Sequence, residues 1–417
     1  MRLSAAQLEA VIVAMRAVLP LQFPADAILR RHFHDNPMLG AQDRALIAET
    51  VFGVLRHRFF LESLAKQPTP RTLVLAYLVK FNGMNLRELA AFVSEAEAKW
   101  LSEIKAVKLD VAPLPVRAEF PDWLVEKLRL SMSDDAIITL GQALQQSAPL
   151  DLRVNTVLAK REQVLETLQQ DGIEAQATPY SPCGIRLAGK PAINRHALFL
   201  SGHIEVQDEG SQLLGYLLAP KRGEMVVDFC AGAGGKSLLL GALMHSKGRL
   251  YAFDVSEKRL SNLKPRFKRS GLSNLHAQRI DSENDPKIKR LSGKIDRVLV
   301  DAPCSGLGTL RRNPDLKWRQ SPQSIEELKA KQAAILAAAA SLLRPGGCLV
   351  YATCSLLPEE NQQVVREFLD AHPQFSLLNC AELLAQQKIP LDTGEFLQLF
   401  PQQHQTDGFF AAALVRQ

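Results

Sequence analysis

The sequence predicts an α/β protein: a doubly wound, mainly parallel sheet with a C-terminal antiparallel hairpin, preceded by an all-α region and a small α+β segment. Three observations lead there. Between Met225 and Tyr351, short apolar, β-rich runs alternate with helical patterns, the order that produces right-handed parallel crossovers. Acidic residues close four successive runs, at Asp228, Asp254, Asp281 and Asp301, on the carboxyl edge where open α/β sheets bind ligands. From the start of the chain to about Ser147 the periodicity is helical instead, with few candidate strands.

At 417 residues the chain is long enough for two or three domains. Hydrophobic residues make up 47% and charged residues 23%, an ordinary globular balance. The net charge of +6 permits a polyanionic partner without requiring one. Six cysteines show no Cys-x-x-Cys spacing and no disulfide framework, so reduced thiols in the cytoplasm are expected, with no metal site. No signal-peptide pattern opens the chain and no apolar run approaches a membrane span.

The expected domains are residues 1-147, 148-215 and 216-417. In the first, residues 43–58 pair Leu46/Ile47, Val51/Phe52 and Val54/Leu55 at helical spacing. Arg30-Arg31 and Arg56-His57-Arg58 could touch phosphate or could be a solvated face. Pro113, Pro115 and Pro121 mark a connection, and Asp122 can cap the helix that follows. In the second domain, residues 151–156 read as a strand and residues 160–170 as a helix stopped at Asp171-Gly172. Residues 202–214 lead into a further helix.

The third domain opens with a strand over residues 225–230, then Ala231-Gly232-Ala233-Gly234-Gly235-Lys236-Ser237 and a helix. Glycines let the backbone approach a ligand closely, and the helix start offers free N–H groups, so a nucleotide-type cofactor is expected. A phosphate-binding NTPase loop fails here, because its first glycine falls on Cys230. Residues 249–253 form a strand ending at Asp254, placed to accept hydrogen bonds from a ribose. Further strands precede Asp281 and Asp301. Residues 324–343 read as a helix, closed by Arg344-Pro345-Gly346-Gly347 before a strand over residues 348–351. Residues 394–400 and 406–415 form the final hairpin.

Two cysteines stand just past strand ends, in Asp301-Ala302-Pro303-Cys304-Ser305-Gly306 and Thr353-Cys354-Ser355. If their strands are neighbours, a spacing of about 4.8 Å brings both thiols to one crevice. A cysteine is most often a small buried hydrophobe, the reading given to Cys183, Cys348 and Cys380; two at one crevice suggest thiol chemistry.

These blocks, with Asp228-Phe229-Cys230 and the glycine loop, Arg311-Arg312-Asn313-Pro314-Asp315-Leu316-Lys317-Trp318-Arg319 and Thr406-Asp407-Gly408-Phe409-Phe410, resemble the signature blocks of the Nop/Sun RNA cytosine-C5 methyltransferases. The RsmB branch, acting on 16S ribosomal RNA, is the most similar. Ala233 and Ser237 depart from the Pro and Thr often found in that family's loop. The resemblance implies a Rossmann-like class I methyltransferase fold, a NusB-like RNA-binding helical domain, S-adenosyl-L-methionine as cofactor and an RNA substrate, ribosomal RNA first. It implies Cys354 as nucleophile, Cys304 in product release and Asp301 on the base edge. Cofactor contacts carry over to Cys230, Ala231, Gly232, Ala233, Gly234, Gly235, Lys236, Asp254, Asp281 and Asp301, with Arg259 as a further candidate. No membrane and no obligate protein partner are implied, and a monomer is expected. Arg311, Arg312, Lys317 and Arg319 are expected to contact RNA, since a base under modification is held out of its stack beside a phosphate-bearing strand. Trp318 could stack on a base or pin its loop.

The chemistry is consistent with the residues. C5 of cytosine is a poor nucleophile until a thiolate adds at C6, and a base must later remove the C5 proton. A DNA cytosine-C5 methyltransferase would use the Pro-Cys thiol itself, usually followed by Gln, where Ser305 stands here. An amino-group methyltransferase would need an acidic-Pro-Pro-aromatic motif. An RNA-binding assembly factor without activity would not need both thiols.

Overall fold

A computed structural model describes residues 3–417. It has two compact units: the residues up to Ser147 with Thr309–Ser321, and Ala148–Gly308 with Pro322–Gln417. Among the described residues no helix is long and apolar enough to cross a membrane.

The first unit is helical. Helices Ala5–Val18 and Ala41–Arg56 bury an apolar stripe each, including Met15, Val51 and Leu55, against Pro70–Lys80, which is buried on nearly every side, with Leu73 and Leu75 among its core residues. Gly53 lets two helices approach: a Cβ there would lie 2.1 Å from the Tyr77 ring. The segment Thr309–Ser321 is part of this unit, which an unbroken domain over 216-417 does not anticipate. Trp318 stacks on Phe59 at 4.3 Å between ring centroids, and the Arg58 guanidinium covers it at 4.6 Å. Asp315 accepts a hydrogen bond from the Ala25 N–H at 3.2 Å. Lys317 Nζ donates to the Arg56 carbonyl at 2.9 Å and pairs with Glu119 at 3.7 Å.

This corrects the expectation of RNA contacts for Arg311 and Lys317. Arg311 and Lys317 are buried, Arg319 pairs with Asp315 at 3.5 Å, and Trp318 pins the loop. A buried cation satisfied by a carboxylate and a carbonyl has nothing left for phosphate.

The second unit holds two sheets. In the smaller, β1 (Leu150–Val154), β2 (Ala175–Ala177), β3 (Gly184–Leu187) and β4 (Ile204–Val206) lie in the order β2-β3-β1-β4, paired antiparallel throughout. Helix Arg161–Gln170 packs Val164 and Leu168 on it. Helix Glu209–Leu218 is buried along its whole length.

The larger sheet comprises β5 (Met225–Asp228), β6 (Arg249–Asp254), β7 (Leu275–Arg279), β8 (Ile295–Asp301), β9 (Leu343–Thr353), β10 (Phe375–Leu378), β11 (Leu397–Leu399) and β12 (Phe409–Arg416). Its order is β10-β12-β9-β8-β5-β6-β7, with β11 on β12. β5 to β9 pair in parallel, whereas β12 runs antiparallel between β9 and β10. The expected hairpin is present as β11 and β12; β10 was not foreseen. The Arg344–Gly347 turn lies within β9 as an irregularity: Ile295 faces Leu343 while Arg297 already faces Cys348. Apolar side chains cover both faces, with Leu299, Val350 and Leu239 in one cluster and Val300, Tyr351 and Leu336 in the other, as a parallel sheet requires.

Candidate active site

The register of β8 against β9 sets the centre of the site. Asp301 faces Ala352, so the loops carrying Cys304 and Cys354 leave adjacent strands at the same height. Their Sγ atoms lie 3.4 Å apart. The thiol of Cys304 is pushed well above its ordinary range by its hydrogen bond with Cys354, by burial and by the nearby Glu360, so it stays protonated.

Backbone contacts fix the two loops against each other. The Gly308 N–H donates to the Cys354 carbonyl at 2.8 Å, and the Gly308 carbonyl accepts from the Gly408 N–H at 2.8 Å. A Cβ on Gly308 would come 2.2 Å from the Gly408 carbonyl oxygen, so only glycine permits this approach. Below the thiols lies Glu360, fully buried. Its Oε1 accepts from the Ser305 N–H at 2.8 Å and the Gln332 amide at 2.9 Å; its Oε2 accepts from the hydroxyls of Ser305 and Ser355. One carboxylate therefore binds the residue after each motif cysteine. Asn361 adds a bond from its side chain to the Ser355 carbonyl at 3.1 Å.

The glycine loop lies across β5 and β6, with Gly232 and Gly234 at φ +56° and +81°, conformations that favour glycine. Asp254 accepts from the Gly232 N–H at 2.8 Å and the Ser256 N–H at 2.7 Å. The loop's carbonyls are held by two arginines: Arg266 donates to Ala233 at 2.6 Å, and the buried Arg153 of β1 to Gly235. Through Arg153 the small sheet positions the glycine loop. Nothing stands within 4 Å of a Cβ built on Gly232, which leaves an open cradle beside the loop. Asp228 is buried; one oxygen accepts from the Ser237 hydroxyl at 2.6 Å and the other has no partner. Burial, reinforced by Asp301 and opposed by the Ser237 hydrogen bond, pushes its carboxyl to about 7.

Lys236 joins the two halves, donating to Asp301 at 2.6 Å. Burial alone would lower its ammonium pKa, but Asp301 and Asp228 outweigh this and raise it, with Cys354 adding to their effect. Lys236 is thus a fixed positive charge between the carboxylates and the thiols.

The expected residues at Cys230–Lys236, Asp254, Asp301, Cys304 and Cys354 converge on adjacent strand ends. Cys230 is partly buried, and its thiol is pushed above its ordinary range, chiefly by desolvation. Asp281 follows β7, two strands from β5; its side chain is 82% exposed and pairs with Arg279 at 3.1 Å. Of the remaining cysteines, Cys183 and Cys380 are buried, while Cys348 is only partly so. Glu360, Asn361, Arg153 and the Gly308/Gly408 contact were missed. The one sequence signal is Glu359-Glu360-Asn361, two carboxylates and an amide shortly after Cys354.

A sheet with this strand order, a glycine loop after β5 and an acidic residue ending β6 defines an S-adenosylmethionine-dependent methyltransferase of Rossmann-like fold. A model described as 16S rRNA methyltransferase RsmB/F matches residues 215–415, and an RsmF/B-like ferredoxin-like domain model matches residues 120–194. The chain is 33% identical to ribosomal RNA small subunit methyltransferase B of Yersinia enterocolitica, over 90% of this chain and 91% of that protein. A Synechocystis protein named as a probable ribosomal RNA small subunit methyltransferase B is 32% identical, with 93% and 94% covered. Among solved structures, that of PH0851 is similar over 100% of both chains, with a TM-score of 0.80 at 27% identity. A methyltransferase homologue from Pyrococcus horikoshii gives a TM-score of 0.63 at 29% identity, over 74% of this chain and 98% of that one. The chain belongs to the RsmB/F family of 16S rRNA methyltransferases.

Proposed function

We propose that the protein methylates C5 of a cytidine in ribosomal RNA, the 16S species first, through a covalent bond between Cys354 and C6. The observation that carries this reading is the 3.4 Å approach of two thiols from separate strand ends. Methylation of a ring nitrogen or an exocyclic amine needs no thiol; C5 does, because only addition at C6 makes C5 nucleophilic.

The cofactor S-adenosylmethionine supplies an electrophilic methyl group. The loop from Cys230 to Lys236 would hold it with Asp254 and Asp301; the open cradle at Gly232 and the orphaned oxygen of Asp228 suit a polar ligand there. Asp301 binds the N3/N4 edge of the base, its carboxylate oriented by Lys236. The Cys354 thiolate adds to C6, and the C5–C6 π pair moves to C5, which takes the methyl group. Water in the crevice then accepts the C5 proton, the C–H electron pair re-forms the C5–C6 double bond, and the C6–S pair leaves on the Cys354 sulfur as thiolate. Cys304, still protonated, donates a hydrogen bond to the departing sulfur. The Cys304 thiol, held neutral by its hydrogen bond with Cys354 and by burial, suits that donor role.

The test is trapping with RNA containing 5-fluorocytidine, whose C5 fluorine blocks release. A denaturation-resistant adduct is expected for the wild type and Cys304→Ala, and none for Cys354→Ala. The reverse pattern would move the nucleophile to Cys304, and no adduct in any form would defeat the covalent reading.

A further inference from the structure

The chain's positive charge is concentrated in one stretch. Residues 257–294 hold eleven Lys and Arg against four Asp and Glu, an excess of +7, whereas the whole chain carries +6. The remainder is close to neutral. This stretch contains helix Glu257–Arg269, β7 and helix Pro286–Lys289, and β7 is the outermost strand of the large sheet.

The two helices flank that edge on opposite faces: Leu260 and Leu263 join one core cluster and Ile288 the other. Lys258, Lys264, Lys268, Arg279, Lys289 and Arg290 are exposed, so positive charge wraps the edge from both sides. Arg266 and Arg269 turn inward onto Glu205 and take no part. Among the described residues Lys258, Lys264 and Lys268 form no ion pair. Lys264 and Lys268 are four apart on one helix, where like charges repel by a few tenths of a kcal/mol. Arg30 and Arg129, exposed elsewhere on the chain, have carboxylate partners in Asp26 and Asp134. Arg279 pairs with Asp281 at 3.1 Å, but the three unpaired lysines accept self-repulsion without counter-ions, which suits an external polyanion.

We propose that the β7 edge, with its two flanking helices, is a second RNA-binding surface, taking the phosphate backbone of the substrate outside the nucleotide in the thiol crevice. This rests on the RNA substrate proposed above. The edge lies three strand spacings from β8, about 14 Å, within reach of RNA continuous with the target nucleotide. Ammonium groups on exposed helices contact phosphates and carry no base readout, so the surface adds affinity and registers the strand without choosing the sequence.

The experiment compares wild type with K264Q/K268Q/K289Q/R290Q and with a control that removes equal charge elsewhere, K160Q/K190Q/K221Q/K388Q. Binding of 16S ribosomal RNA is measured across salt concentrations, and methyl transfer is measured separately. The edge variant is expected to bind more weakly and to lose about 0.7 from the magnitude of the log–log salt slope for each phosphate contact removed. KM for RNA rises while kcat is kept, and the control stays near wild type. Equal salt slopes and equal KM values for edge variant and wild type overturn the proposal, as does a control that loses as much as the edge variant. If the wild type binds but does not methylate while the slope difference persists, the edge stands and the proposed reaction falls.

Discussion

Two lysine–carboxylate pairs, one partly buried in the site and one fully buried in the helical unit, differ in the direction their lysines shift. In the site, Lys236 meets Asp301 at 2.6 Å with Asp228 nearby, and its pKa rises despite burial. In the helical unit, Lys317 lies 3.7 Å from Glu119, with Arg56 and Arg58 close by, and burial lowers it to about 8. Proximity to carboxylates and the sign of the other neighbours decide the outcome. The first pair is a permanent charge suited to orienting chemistry; the second is a structural compromise, in which desolvation is only partly offset.

The largest expected effect comes from removing the site cation. Lys236→Met should lower kcat/KM for methyl transfer by about 10²–10³-fold, the scale for losing a preorganised charge beside a reacting group, with the circular dichroism spectrum retained. Activity within a factor of two of wild type would erase the distinction between the pairs. Lys317→Met should show the converse, a stability loss of about 3 kcal/mol in urea with turnover per folded molecule unchanged. That is the low end for breaking a buried pair, because Glu119 can take up a proton.

How much of this was legible in the sequence follows from where each residue's partners lie. The parallel strands and the thiol crevice were legible because strand-end motifs carry their own position: Asp301 and Thr353 end β8 and β9. The fate of Arg311 and Lys317 was not, because their environment is made by Arg56 and Glu119, far earlier in the chain, and a basic loop reads as exposed until that carboxylate is located. β10 escaped because Phe375-Ser376-Leu377-Leu378 is short and paired only with β12. The role of Glu360 escaped for a related reason: its donors come from Ser305, Gln332 and Ser355, on three separate elements.

Glu360 sharpens the comparison further, as a buried carboxylate whose bonded partners are all neutral donors. Glu360→Gln keeps its volume but replaces one accepting oxygen with an amide donor, so it cannot bind both serine hydroxyls as before. A loss of about 2 kcal/mol in transition-state stabilisation is expected, roughly thirtyfold in kcat. RNA affinity should change little, because no backbone contact is removed. A change confined to RNA affinity, with kcat intact, would mean that the two thiol loops keep their spacing without the carboxylate.

The smallest effect is a pH dependence confined to the helical pair. Burial, opposed by Lys317, raises Glu119 from 4.5 to about 7, so the folded chain retains a proton there that the unfolded chain has lost. Stability from this group therefore falls as pH rises from 4.5 to about 7. Burial, opposed by Glu119, lowers Lys317 from 10.5 to about 8, so above pH 8 the unfolded chain binds the extra proton and stability rises again toward pH 10.5. His57, depressed from 6.5 to about 3 by burial and by Lys317 and Arg56, gives the opposite slope below pH 6.5, so the comparison is read above that value. The stability of wild type minus that of Glu119→Gln/Lys317→Met, followed by urea unfolding, should be lowest between pH 7 and 8 and should climb on the alkaline side. A flat difference from pH 6.5 to 10 would mean that Lys317 keeps its charge as firmly as Lys236 does, and the contrast between the two pairs would then reduce to distance alone.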